Sequence, residues 1–281
     1  MTQQGDDGVT SLSTVEAAGL RLAYREQGEG PPVLLLHGWP TSSYLWRNVM
    51  PPIAEANRVI ALDLPGFGGS DKPPDVRYDF EFFEGALDGF LAALGVDEVA
   101  IAVHDLGGPV GVHWALHRPQ RVTKVALLNT LVYPEFSEAV IAFIQACTQP
   151  ELRDQLTSPQ GLEAAMKLGV ADESNVTDDV VSAVQEPFQT TEARLALAAA
   201  GVGLEPEGFA EIARLLPSLE VPVRAIYGEQ DRILPDIAET MARVKRDVPH
   251  AEVTSLPGCG HFLQEEEPQE IGQQLARFFA A

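Results

Sequence analysis

Three residues carry the chemistry that this chain can do. Asp105 ends the run Val99-Ala-Ile-Ala-Val-His-Asp105 and is followed by Leu106-Gly107-Gly108. An apolar strand running into a turn and then a helix needs small residues at the bend. Such a bend lifts its apical side chain above the sheet and leaves the next N–H, that of Leu106, free to face developing negative charge. The apical group here is a carboxylate. Attack on a carbonyl would give an anhydride, a poor route. Attack on a saturated carbon by displacement gives an alkyl ester, which an activated water can then clear. His261, in Pro257-Gly-Cys-Gly-His-Phe262, is placed to be the base for that water, and Asp231, in Tyr227-Gly-Glu-Gln-Asp-Arg232, to orient the histidine. An Asp beside glycine is commonly a turn residue, and a single loop His is usually solvated. Nucleophile, acid and histidine, each just after its own predicted strand and in that chain order, outweigh those readings. Among the other histidines, His104 is expected to support the turn. His113, His117 and His250 read as helix-surface or loop residues.

These side chains need a scaffold that brings strand ends together. Thr14–Gln27 alternates around Gly19 and reads as a strand pair. Short apolar runs predict strands at Pro32–Leu36, Val59–Leu64, Glu98–Val103, Val122–Asn129, Val221–Tyr227 and Ala251–Leu256. Helical spacing predicts helices at Tyr44–Ala56, Phe80–Leu94 (stopped by Gly95), Leu106–His117 and Ile237–Asp247, with a last one from near Pro268. The alternation implies an α/β fold with a mostly parallel central sheet and helices on both faces. From Pro134 to about Ser218 the pattern is helical without a convincing strand. The expected organisation is a core of residues 14–133 and 219–281, a helical cap over 134–218 and a loose tail over 1–13. The cap would lie over the carboxyl ends of the strands, where open α/β sheets bind ligands.

Composition narrows the function classes. The chain has 281 residues, 45% of them hydrophobic, enough for one α/β domain with an inserted lid. No apolar run reaches the roughly 18 residues that span a bilayer. Met1–Ser13 has no basic stretch followed by an apolar one, so no signal peptide is read, and the cytoplasm is the expected compartment. Cys147 and Cys259 lie far apart without metal-ligand spacing, so neither a disulfide framework nor a zinc site is expected. A net charge of −22 argues against nucleic acid and anionic membrane surfaces as partners. It also means that an anionic substrate would not be steered in from a distance. No metal and no cofactor are implied.

His37-Gly-Trp-Pro-Thr-Ser-Ser-Tyr-Leu-Trp-Arg-Asn48, Asp63-Leu-Pro-Gly-Phe-Gly-Gly-Ser-Asp71 and Val103-His-Asp-Leu-Gly107 together resemble the aspartate-nucleophile branch of the α/β-hydrolase superfamily, which includes haloalkane dehalogenases and epoxide hydrolases. The first motif is closest to the dehalogenases. The resemblance implies an α/β-hydrolase fold and a triad of Asp105, His261 and Asp231. It also implies oxyanion donors in the backbone N–H groups of Trp39 and Leu106. Some dehalogenases carry the acid after the strand before the lid. That region offers Asn129 here, so Asp231 is the candidate. Two departures stand out. Dehalogenases usually have Trp after the nucleophile to hold the departing halide, and this chain has Leu106. Epoxide hydrolases usually have lid tyrosines, and Pro134–Val221 contains no Tyr, Trp or His. The expected activity is haloalkane dehalogenation, with epoxide hydrolysis as the alternative. A non-catalytic ligand-binding protein on the same scaffold is a third reading, against which the complete triad argues. Phe136, Phe143, Met166 and Phe188 are the candidate pocket walls, for a small, apolar, uncharged organic substrate with water as co-reactant. Oligomeric state is not legible.

Overall fold

The structure, a computed structural model, describes residues 10–280. Most of the expected tail thus lies outside the described residues, and at its end Ser13 already belongs to the first strand. Eight strands form one sheet: β1 (Ser13–Ala17), β2 (Leu20–Gln27), β3 (Pro32–Leu36), β4 (Arg58–Leu62), β5 (Val99–Asp105), β6 (Val122–Thr130), β7 (Val223–Gly228) and β8 (Glu252–Leu256). Their spatial order is β1-β2-β4-β3-β5-β6-β7-β8. The β1–β2 and β2–β4 pairs are antiparallel, and every pair from β4 through β3 to β8 is parallel. The central strands β3 to β6 are mostly buried, with continuous apolar runs at Val33–Leu36, Val59–Leu62, Val99–Val103 and Val125–Leu128. A strand without alternation has both faces covered, as a parallel sheet with flanking helices requires.

The helices are α1 (Met50–Ala54), α2 (Phe80–Ala93), α3 (Gly107–His117), α4 (Glu138–Thr148), α5 (Pro150–Leu156), α6 (Pro159–Gly169), α7 (Asp178–Gln185), α8 (Thr191–Val202), α9 (Pro206–Leu215), α10 (Ile237–Asp247), α11 (Leu263–Glu266) and α12 (Pro268–Ala280). The helix expected over Tyr44–Ala56 is broken. A 3-10 turn covers Ser43–Trp46 and α1 begins afresh at Met50. Pro51 and Pro52 are the reason: they lack N–H groups and clash with the preceding turn, so they can open a helix but not continue one. Leu45, Val49 and Ile53 are nevertheless all buried, as their spacing implied. Asp79 caps α2, its carboxylate accepting from Phe82 N–H at 2.9 Å.

Between β6 and β7 the chain is helical, from α4 to α9. Everything the sequence nominated for chemistry follows the carboxyl end of a parallel strand: Trp39 after β3, Asp105 at the end of β5, Asp231 after β7 and His261 after β8. β5 runs two residues past its expected end and so carries Asp105 itself. Among the described residues no helix is long and apolar enough to cross a membrane.

Candidate active site

Asp105 has φ +49°, a left-handed conformation that a non-glycine residue adopts only when its surroundings impose it. The turn is packed from both sides. A Cβ on Gly38 would collide with the Asp105 carboxylate, and one on Gly107 would strike the carbonyls of His37 and Leu36. Only glycine lets the β3 loop and the β5 turn approach this closely. The approach brings the Trp39 N–H to Asp105 Oδ1 at 2.7 Å. The Leu106 amide, next in the chain, helps to hold the charge on the same carboxyl group. Thr130 Oγ1 donates to the Asp105 carbonyl at 2.7 Å and fixes the turn to β6.

His261 faces the other carboxylate oxygen, with Nε2 3.5 Å from Asp105 Oδ2. Its Nδ1–H donates to Asp231 Oδ2 at 2.8 Å, and both of these side chains are fully buried. Asp231 is in turn saturated. Its Oδ1 accepts from the N–H groups of Ile233 and Leu234 at 2.8 Å each, and its Oδ2 accepts from Asn129 Nδ2 at 2.7 Å. Burial works against charge on Asp231, and His261 together with these donors more than offsets it, so its pKa lies below the usual carboxylate value. Asp105 is depressed likewise, against its own burial, by His261, His104 and the Leu106 amide. Burial also opposes charge on His261, but the two carboxylates prevail and raise its pKa to about 10. His104, fully buried with no carboxylate of its own, goes the other way, down to about 3. Its Nε2–H donates to the His261 carbonyl at 3.0 Å.

Asn129 is the residue that sequence reasoning undervalued. In the sequence it only fills the position where some dehalogenases carry the acid. It sits fully buried at φ +30°, donates to Asp231 and accepts from Gly228 N–H at 3.0 Å, so it holds the acid's loop. Glu266 was missed as well. Its carboxylate accepts from Gly260 N–H and from Ala171 N–H, both at 2.6 Å, tying the histidine loop to the segment after α6.

A cavity of about 490 Å³ opens above Asp105. Trp39, Leu106 and two of the four candidate walls, Phe136 and Phe143, are among its lining residues. The Trp39 ring meets Phe143 edge-on at 4.9 Å, and its Nε1 is buried without a partner among the described residues. Gly201 leaves room there, since a Cβ on it would lie 3.3 Å from that nitrogen. Met166 and Phe188, the other two expected walls, are not in the lining. On α6, Gly161, Ala164, Ala165 and Leu168 face the cavity, a spacing of one helical face. Met166 falls on the opposite face, fully buried near Thr41, Leu45 and Val184. Phe188 is buried in a 3-10 turn, with Lys72 Nζ 5.7 Å from its ring centre.

The expectation for His113 also needs correcting. It is buried, not at the helix surface. Its Nδ1 lies 2.6 Å from Glu84 Oε1, and its Nε2 and that of His117 each lie 3.6 Å from Glu211 on α9. This cluster ties α2 and α3 to α9. Glu84, His113 and His117 have the spacing of a metal site. Both Glu84 oxygens are already engaged, however, by His113 and by Arg118 at 2.8 Å, and the guanidinium opposes a cation there.

The chain matches the family described as alpha/beta hydrolase fold over residues 31–268. It is 31% identical to a haloalkane dehalogenase of Sphingobium indicum, across 94% of this chain and 93% of that protein. It is 28% identical to the uncharacterized hydrolase YugF of Bacillus subtilis, across 97% and 99% of the two. Among solved structures, the haloalkane dehalogenase DbeA from Bradyrhizobium elkani is similar, with a TM-score of 0.84 at 27% identity over 96% of this chain and 97% of that one. Two carboxylates and a histidine gathered at the ends of β5, β7 and β8, and these likenesses over nearly its whole length, lead to one conclusion: the chain belongs to the α/β-hydrolase fold family and is haloalkane dehalogenase-like within it.

Proposed function

We propose that this protein hydrolyses carbon–halogen bonds of small apolar haloalkanes through an ester on Asp105. The observation that carries this reading is Asp105 itself. It is a depressed carboxylate at a strained turn, held by the Trp39 N–H through one oxygen and facing His261 through the other, beneath an apolar cavity. Oδ2 attacks the carbon bearing the halogen, the halide departs with the bonding pair, and an alkyl ester remains. His261 Nε2 then takes a proton from water as the water attacks the ester carbonyl. The Trp39 and Leu106 amides hold the oxyanion. Collapse releases the alcohol and restores Asp105, so a haloalkane and water become an alcohol, a halide and a proton.

The electrostatics fit this order of events. Two carboxylates keep His261 protonated in the resting site. Esterification removes the charge of one of them, so the histidine pKa falls at the step that needs a base. The buried Trp39 indole N–H, partnerless and facing the cavity, is the donor best placed for the departing halide, a place that Leu106 cannot fill. An epoxide oxygen leaves as an alkoxide and needs a proton donor. The cavity lining contains no tyrosine among the described residues, which ranks epoxide hydrolysis second. The division into core and helical cap, with the cap roofing the cavity, and a cytoplasmic setting belong to the same reading.

The test is a panel of chloro-, bromo- and iodoalkanes beside epoxides, scored for halide and diol release. Bromoalkane turnover should exceed epoxide turnover. Efficient diol formation without halide release would reverse that ranking.

A further inference from the structure

Apart from Asp105, the cavity lining holds one charged side chain, Arg232, and little else that is polar. The exposed lining residues are Leu152 and Gln155 on α5, Ala164 and Leu168 on α6, and Arg232 on the loop after β7. These five make the rim, whereas the Asp105 side chain is largely buried, deeper in the cavity. Arg232 Nε donates to the Leu168 carbonyl at 3.0 Å, and Nη2 to those of Lys167 at 3.1 Å and Val170 at 2.6 Å. These bonds cap the end of α6 and fix where the guanidinium stands. Nη1 has no hydrogen-bond partner, and no carboxylate pairs with Arg232, among the described residues.

Several arginines of this chain of net charge −22 find acids: Arg47 with Glu265, Arg58 with Glu26, Arg118 with Glu84 and Asp88. Arg25 and Arg194, like Arg232, have no carboxylate partner among the described residues, but of these three only Arg232 lines the cavity. The cavity therefore has an apolar wall, an anionic end and a cationic rim. A ligand that matches all three has an apolar chain, an electrophilic carbon at one terminus and an anion at the other. Asp105 repels the anionic end and fixes the direction of entry.

We propose that Arg232 selects substrates carrying a terminal carboxylate, so that the preferred class is ω-halogenated alkanoates. This rests on the dehalogenase reading of Asp105 and modifies the expectation of an uncharged substrate. The selection is local. The protein's overall charge still slows the approach of an anion, and Arg232 acts once the chain has entered. A carboxylate on a fixed guanidinium forms a charge-assisted hydrogen bond, and a rim-exposed one is weakened by salt.

The test separates binding from chemistry. Octanoate and octanol, both unreactive, are titrated into the wild-type protein and into Arg232→Gln and Arg232→Lys. The wild type should bind octanoate about 10-fold more tightly than octanol, as a part-exposed charged hydrogen bond allows. Arg232→Gln should bring that ratio to about one, and Arg232→Lys should retain part of it. Because Arg232→Gln also removes the α6 cap, a second measurement uses wild-type protein alone: the ratio should shrink as salt rises. In turnover, ω-bromooctanoate should show a lower KM than bromooctane at similar kcat. An octanoate-to-octanol ratio near one in the wild type, or a preference that survives Arg232→Gln or high salt, would overturn the proposal. Should bromooctane be dehalogenated with no preference for the bromo acid, Arg232 fails and the dehalogenase reading stands. Should octanoate preference hold with no adduct on Asp105 from any bromide, the reverse is true.

Discussion

His104 holds His261 by the main chain: the Nε2–H of one donates to the carbonyl of the other at 3.0 Å, and their rings lie 4.7 Å apart. His104 directly precedes Asp105, so this bond couples the backbone of the proposed nucleophile to that of the proposed base. His104 acts by position, being buried and, with its pKa near 3, neutral. His104→Leu should slow ester hydrolysis by about 10-fold, on the scale expected when a reacting group is displaced by a fraction of an ångström. His104→Gln, which keeps a donor, should recover much of that loss. Single-turnover kinetics resolve the two steps, and equal rates for Leu and Gln would refute the role.

The proposed ester should accumulate when its hydrolysis is blocked. His261→Phe keeps a ring in the same buried space and removes the base. With a bromoalkane it should release one equivalent of bromide and then stop. Intact mass spectrometry should show the added alkyl group, and peptide mapping should place it on Asp105. A variant that turns over freely, or an unmodified Asp105 with a confirmed substrate, is incompatible with the mechanism.

Titration of His261 gives a pH signature with a definite sign. Its folded pKa, about 10, lies above the ordinary 6.5. The stabilisation from its charged pairing is therefore complete below about pH 6.5 and is lost as pH rises through about 10. Thermal stability should decline across that window. In Asp105→Asn one of the two raising carboxylates is gone, so the decline should be smaller and be complete at a lower pH. Hydrolysis of the alkyl-enzyme should show the opposite trend, slowing as pH falls through the lowered histidine pKa of that intermediate, because imidazolium cannot accept a proton. A pH-independent hydrolysis step would remove His261 from the role of base.

Trp39 separates leaving-group support from packing. Its backbone N–H serves Asp105 whatever the side chain, whereas the indole N–H is free and next to the cavity. Trp39→Phe removes only that donor and should lower the alkylation rate by about 10²-fold, as loss of one oxyanion donor does. Chloride, the poorer leaving group, should suffer more than iodide, and halide should no longer quench tryptophan fluorescence through this site. An unchanged chloride-to-iodide rate ratio would leave Trp39 a packing residue.

Asn129→Ala removes one donor from Asp231 and empties a fully buried polar position. The acid's pKa should rise and its grip on His261 loosen. We expect hydrolysis to slow about 10-fold and to fail at higher pH under acidification than in wild type. Calorimetry should also record a loss of about 1–3 kcal/mol, the cost of leaving Gly228 N–H unpaired.

What was legible in the sequence is what short stretches of chain decide. Strand runs, the glycines at the β5 turn and the order of Asp105, Asp231 and His261 are local properties. A side chain just after a strand in a parallel sheet has nowhere to go but the carboxyl edge. Pro51 and Pro52 could have been read the same way, and they break the helix expected across them. The tertiary structure decided which face of each inserted helix turns inward, because several faces there are apolar enough to bury. Phe136 and Phe143 went to the cavity, while Met166 and Phe188 went to the packing beneath. It also gave Asn129 its partner across 102 residues and set Arg232, 64 residues from Leu168, at the rim. Such pairings depend on where the strands and helices come to lie, and no spacing within either partner's own segment records the other.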